Sequence, residues 1–169
     1  MLNLSLLLSH SLIYGLILST FMTIAFVALA WINPDIWLKD YPPAVQAKLG
    51  PISAKAQRQR TLLGIPVFLC LFGILFAAIW QLGTPTFLEA TLCIFIVMLI
   101  FNVMDLIVLD WLIFLTWRPH RLLIAGVEQI QGALDYAFHF KAFLKGLVGI
   151  TLASPIIAGI VLAVQFLWR

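Results

Sequence analysis

Long apolar runs alternate with shorter polar stretches along this chain. Four runs stand out: residues 11–32 (with apolar character reaching back to Leu4), 61–82, 87–117 and 142–168. A helix needs about 20 predominantly apolar residues to cross about 30 Å of hydrocarbon, and each run is long enough. The pattern predicts an all-α integral membrane protein, with residues 1–169 forming a single transmembrane domain. Its expected architecture is an antiparallel four-helix transmembrane bundle with short interfacial helices in the two longer loops, 33–60 and 118–141.

Composition supports the same class. Hydrophobic residues make up 63% of the chain, charged residues 10%, and the mean hydropathy is +1.10. A typical globular domain is about 45–50% apolar and about 25% charged. So few charges cannot cover a water-facing surface, which excludes disordered, coiled-coil and secreted disulfide-scaffold readings. Cys70 and Cys93 lie inside apolar runs with no Cys-x-x-Cys spacing, as small buried hydrophobes do.

The net charge of +3 matters less than where the charges fall. Lys39, Lys48, Lys55, Arg58 and Arg60 lie in the first long loop, and Arg118, Arg121, Lys141 and Lys145 in or beside the second. The 83–86 turn and the N-terminal stretch carry none, and the C-terminus carries only Arg169. Basic residues favour the cytoplasmic side, so both long loops are expected inside and both termini outside. Trp31, Trp37 and Trp117 would then mark the inner interface, and Trp80 and Trp168 the outer one. Ala28-Leu29-Ala30 resembles the end of a signal peptide, but no basic segment precedes it and the apolar run is too long. The run is therefore expected to remain as the first span. No basic face with base-reading groups points to nucleic acid.

Ionisable groups inside a membrane are functional hypotheses by default. The third run carries Glu89, Asn102, Asp105 and Asp110. Glu89 falls near the outer end, at the level of His10. With a helical rise of about 1.5 Å per residue, Asp105 lies roughly 18 Å and Asp110 roughly 10 Å from Trp117. On an α-helix, Asn102, Asp105 and Asp110 span an arc of about 140°, which must face protein or trapped water. Ser19, Thr20, Thr23, Thr151 and Ser154 fall at matching depth, which predicts a polar layer joining spans one, three and four. Asp105 is read either as a proton- or cation-handling group or as a hydrogen-bonding group that holds helices together. Asp110 is expected to pair with Arg118, Arg121, Lys141 or Lys145. Ala142, Gly146, Gly149 and Ala153 line one face of the fourth span and predict close helix packing there.

In the first loop, three prolines, Pro34, Pro42 and Pro43, predict an ordered turn, followed by short headgroup-level helices over 44–60 divided at Pro51. Its lysines and arginines could hold anionic lipid or serve topology alone. In the second loop Glu128, Gln131, Asp135 and His139 recur at helical spacing, with His120 upstream. Carboxylate and imidazole four residues apart are a metal-ligand spacing, with Glu128 as a third candidate ligand. The same face is equally what an interfacial helix presents to water. No phosphate loop, HExxH, GxSxG or internal repeat occurs.

Three stretches, NPDIWLKDYPP, FNVMDLIVLDWL and DYAFHFKAFLKG, together resemble a group of small bacterial four-span membrane proteins. The resemblance implies the same topology and brings no activity, cofactor or assigned residue with it; an inner-membrane location is expected.

Three functional readings follow. The first is a non-catalytic accessory or self-assembling subunit, partnered by the bilayer and by other membrane subunits or further copies of the chain. The second is a small proton- or cation-coupled transporter or channel component using Asp105. The third is a membrane-embedded enzyme acting on a lipid or isoprenoid at the inner interface, with His120, Glu128, Asp135 and His139 as candidate residues and Asp110 nearby.

Overall fold

The computed structural model describes residues 3–168; Arg169 lies outside them. The elements are α1 (Leu4–Ile32), a 3-10 turn (Pro34–Asp40), α2 (Pro43–Leu49), α3 (Ala54–Trp80) and α4 (Phe87–Met104). The helix of α4 continues as a π-helix (Asp105–Trp117), and two short 3-10 turns (His120–Leu122 and Val127–Gln129) lead to α5 (Tyr136–Leu167). There is no strand among the described residues. The protein is all-α, with four helices long and apolar enough to cross a membrane.

Those helices have mean hydropathies of 2.2 to 2.8, yet only 22–28% of each apolar window is buried inside the protein. Much of the remainder, such as Phe68, Leu69 and Ile156, is exposed apolar surface. Surface of that extent and chemistry is suited to lipid, not to water.

Polar side chains set the helix starts. Asn3 caps α1, Ser53 caps α3 and Asp135 caps α5, each accepting from a backbone N–H in the first turn. Thr86 and Glu89 close a capping box at the start of α4. Two caps move the expected boundaries. Ser53 followed by the helix-forming stretch Ala-Lys-Ala-Gln-Arg-Gln-Arg starts α3 at Ala54 instead of 61. Lys55, Arg58 and Arg60 therefore ride on its first turns, and α2 is the only separate α-helix of the first loop. Asp135 likewise starts α5 at Tyr136 instead of 142.

The helix α4 packs most closely against α1 and α5, while α3 lies more lightly against α1. Leu18, Leu75, Ile79, Ile94 and Val97 fill the core between them. Two close approaches fix the spacing. A Cβ on Gly15 of α1 would fall 2.7–3.0 Å from Ile100, and one on Gly146 of α5 would fall 2.7 Å from Asn102 Oδ1. Of the small residues expected to draw α5 inward, Gly146 does so, whereas a Cβ on Gly149 would meet nothing within 4 Å.

The expected polar layer joining spans one, three and four does not form. Ser19 and Ser154 donate to carbonyls one turn back in their own helices, as do Ser11 and Thr151. A hydroxyl satisfied in this way has no need of a neighbour. At this depth Asn102 bonds across helices, donating from Nδ2 to the Phe143 carbonyl at 3.2 Å.

Both long loops lie at one end of the bundle and pack on each other. Leu38, Val45, Leu123, Ile124, Val127 and Ala133 form a second small core, with Tyr41 and Phe114 against it. Arg60 stitches the first loop down by donating to the Ile36 carbonyl at 3.0 Å and to Asp40 at 3.1 Å. The second loop thus folds into a cap instead of an interfacial helix.

Candidate functional site

The π-helix is the local feature that builds the site. At its end the Arg118 N–H donates to the Ile113 carbonyl at 2.9 Å, and Thr116 Oγ1 donates to the Trp111 carbonyl at 2.6 Å, both five residues back. Arg118 then stops the helix in a left-handed conformation, φ 51°, with Pro119 following. In an α-helix residues five apart diverge by about 140°; an i→i+5 ladder brings them toward one side. Asp105 and Asp110 consequently face the same cleft.

That cleft has a volume of about 410 Å³ and lies at the loop end of the bundle. This is within the range of small-molecule sites, about 300–1,000 Å³. Its walls are largely apolar, from Phe26 on α1, Leu109 and Phe114 on the π-helix, Leu123 and Leu134 in the second loop, and Phe138 on α5. Asp40, Asp105, Asp110, His139, Lys39 and Tyr41 supply the polar groups.

Asp110 and His139 make the central contact. The Oδ2 of Asp110 lies 3.0 Å from Nδ1 of His139, and the two side chains are 23% and 16% exposed. Asp110 therefore does not pair with the expected arginines and lysines; Arg118 instead donates from Nε to the Leu115 carbonyl at 2.7 Å. A carboxylate at Nδ1 holds the neutral imidazole in its Nδ1–H form and leaves the lone pair on Nε2. In that form Nε2 accepts a proton, and Asp110 stabilises the imidazolium that results.

Asp40 stands at the cleft with Arg60 3.1 Å away. Although its side chain is half exposed, desolvation at the cleft mouth raises its carboxyl above the usual range, and the Arg60 charge offsets this only in part. Tyr41 is pushed up to about 12 by burial, with a backbone hydrogen bond to Ile124 working in the opposite direction. Trp37, expected at the membrane interface, points toward α1: it packs edge-on against Phe26 at 5.0 Å, and its indole N–H is buried with no acceptor among the described residues. The 3-10 turn that begins at Pro34 folds this indole back onto α1.

The four second-loop candidates do not share a helix face. Gly126 and Gly132 adopt positive φ, 78° and 81°, and break the stretch into turns. Asp135 caps α5 through Ala137 N–H, His120 lies 3.5 Å from Glu128 at the surface, and Gln131 falls in a turn. Only His139 reaches the cleft. Among the described residues no group of three His, Cys, Asp or Glu side chains is placed to hold a metal ion. At the opposite end of the bundle, His10 Nε2 bonds the Ala78 carbonyl at 2.8 Å.

No family model, no curated protein and no solved structure matches the chain.

Proposed function

We propose that this is a multi-pass membrane protein whose loop-end cleft binds an amphiphilic molecule and exchanges a proton with it through His139. The observation that carries this reading is the Asp110–His139 pair, 3.0 Å apart, in the wall of a largely apolar cleft. Apolar walls suit a hydrocarbon tail, and the pair suits a polar head that gives up or takes a proton. Of the three readings from sequence, this is nearest to the membrane-embedded enzyme. A purely accessory role would leave the pair and its cleft without a use. A transmembrane conduit finds less support, because the hydroxyls deeper in the bundle bond within their own helices around an apolar core.

The distribution of basic residues supports cytoplasmic placement of both long loops, and with it a cleft that opens at the inner interface. The resemblance to small bacterial four-span proteins supports an inner-membrane location.

Diethylpyrocarbonate labelling, mapped by peptide mass spectrometry, tests the reading. His120, whose side chain is 87% exposed, is the internal reference. A single-chain amphiphile should slow modification of His139 and leave that of His120 unchanged. Failure of His139 to react at all, or equal reaction with and without the amphiphile, would overturn the reading.

A further inference from the structure

The cleft's charges are unequally satisfied. Asp40 has Arg60 at 3.1 Å, and Asp110 has His139 at 3.0 Å. The Asp105 side chain has no hydrogen bond or ion pair among the described residues, yet it lines the same cavity. It is half-buried in a helix apolar enough to cross a membrane. The lysine of the cleft, Lys39, is exposed and belongs to the first loop. A carboxyl facing a cavity inside apolar walls keeps its charge only with a cation beside it, since an unpaired charge in low dielectric is costly and otherwise takes up a proton; a cation that arrives with the ligand would supply that partner. Phe26, Phe114 and Phe138 add aromatic rings to the lining, a residue type whose faces attract ammonium groups and whose surface accommodates alkyl chains.

We infer that the cleft takes a cationic amphiphile, an ammonium group on a hydrocarbon tail, with the ammonium at Asp105 and the tail along the phenylalanine walls. The inference rests on the reading of the cleft as an amphiphile site and adds the charge of the head. The ammonium could belong to a free alkylamine or to an ethanolamine lipid headgroup, whose phosphate would then lie toward Lys39.

Four probes of equal chain length distinguish these cases: an alkylammonium, an alkyl alcohol, an alkyl sulfate and a lysophosphatidylethanolamine. Binding is read from the tryptophan fluorescence change that is lost in Trp37→Phe, because Trp37 forms part of the cleft wall. The alkylammonium is expected to bind about tenfold or more tightly than the alcohol or the sulfate. Asp105→Asn should abolish that preference while leaving alcohol binding unchanged. Retained alcohol binding also shows that the variant is folded, and Asp105→Glu should restore the preference in part. Tighter binding of the lysolipid than of the alkylammonium identifies a lipid headgroup as the source, and the reverse order identifies a free amine. Equal binding of ammonium, alcohol and sulfate, or a preference that survives Asp105→Asn, would overturn the charge assignment alone. Absence of binding by all four probes would overturn the amphiphile site itself.

Discussion

The carboxylate of Asp110, on the π-helical end of the third span, lies 3.0 Å from Nδ1 of His139 in the first turns of α5. Both side chains are mostly withdrawn from solvent, so neither is well served by water if its partner is removed. His139→Gln should lower stability by about 1–3 kcal/mol, the usual cost of leaving a buried polar partner unsatisfied. The double variant Asp110→Asn/His139→Gln should be less destabilised than the sum of the two single variants. Unfolding in detergent, followed by circular dichroism, measures the cycle; strict additivity would mean that the two groups do not interact.

Helix spacing gives an ordered series. Gly15→Ala is expected to be the most damaging, because its Cβ would meet Ile100 at and around that residue's own Cβ, which cannot rotate away. A cost of about 1–3 kcal/mol is usual for such overpacking. Gly146→Ala meets the end of the Asn102 side chain, which can swing aside by giving up its bond to the Phe143 carbonyl, so its cost should be nearer 1 kcal/mol. Gly149→Ala meets nothing within 4 Å and should be neutral or stabilising, by up to about 1 kcal/mol from helix propensity. Thermal unfolding of the three variants checks the order.

Tyr41 links the loop cap to pH. Its pKa rises from 10.0 in an open chain to about 12 in the fold, because burial disfavours the phenolate. A group whose folded pKa is raised contributes stability that is complete below the unfolded pKa and is lost as pH rises through the folded one. Between pH 10 and about 12 the cap should therefore weaken, by an amount on the order of 2 kcal/mol. Tyr41→Phe should remove that pH dependence and, in an absorbance titration, the late-ionising phenol.

Topology is testable without reference to ligand. A cysteine placed at Thr84 in a Cys70→Ala/Cys93→Ala background should react with a membrane-impermeant maleimide in intact cells. One placed at Lys48 in α2 should react only after permeabilisation. The opposite pattern would reverse the assignment of the long loops to the cytoplasm.

Much of the bundle was legible in the sequence. Apolar runs of this length leave few options, whereas the helix starts set by Ser53 and Asp135 lie outside those runs and hydropathy does not mark them. The candidate site was only partly legible. Asp105, Asp110 and His139 each stood out as ionisable residues in or beside apolar runs, but the rule used to relate them was α-helical. A five-residue spacing places Asp105 and Asp110 apart on an α-helix, and hydropathy carries no mark of a π ladder. The i,i+4 spacing of Asp135 and His139 invited a shared face. The observed fold spends Asp135 on capping, and turns at Gly126 and Gly132 detach Glu128. The direction of the Trp37 side chain was not legible either, because it is set by how the Pro34–Asp40 turn folds back on α1.

The central claim is that the loop-end cleft holds an amphiphile, and native mass spectrometry of protein extracted gently from its own membrane tests it most directly. Ala142 borders the cleft and is exposed, so Ala142→Trp can obstruct it without disturbing the core. The wild-type protein should carry an amphiphile-sized adduct, and Ala142→Trp should lose it while retaining the same helical content. A wild-type protein free of adduct, or an adduct that persists undiminished in Ala142→Trp, would contradict the account.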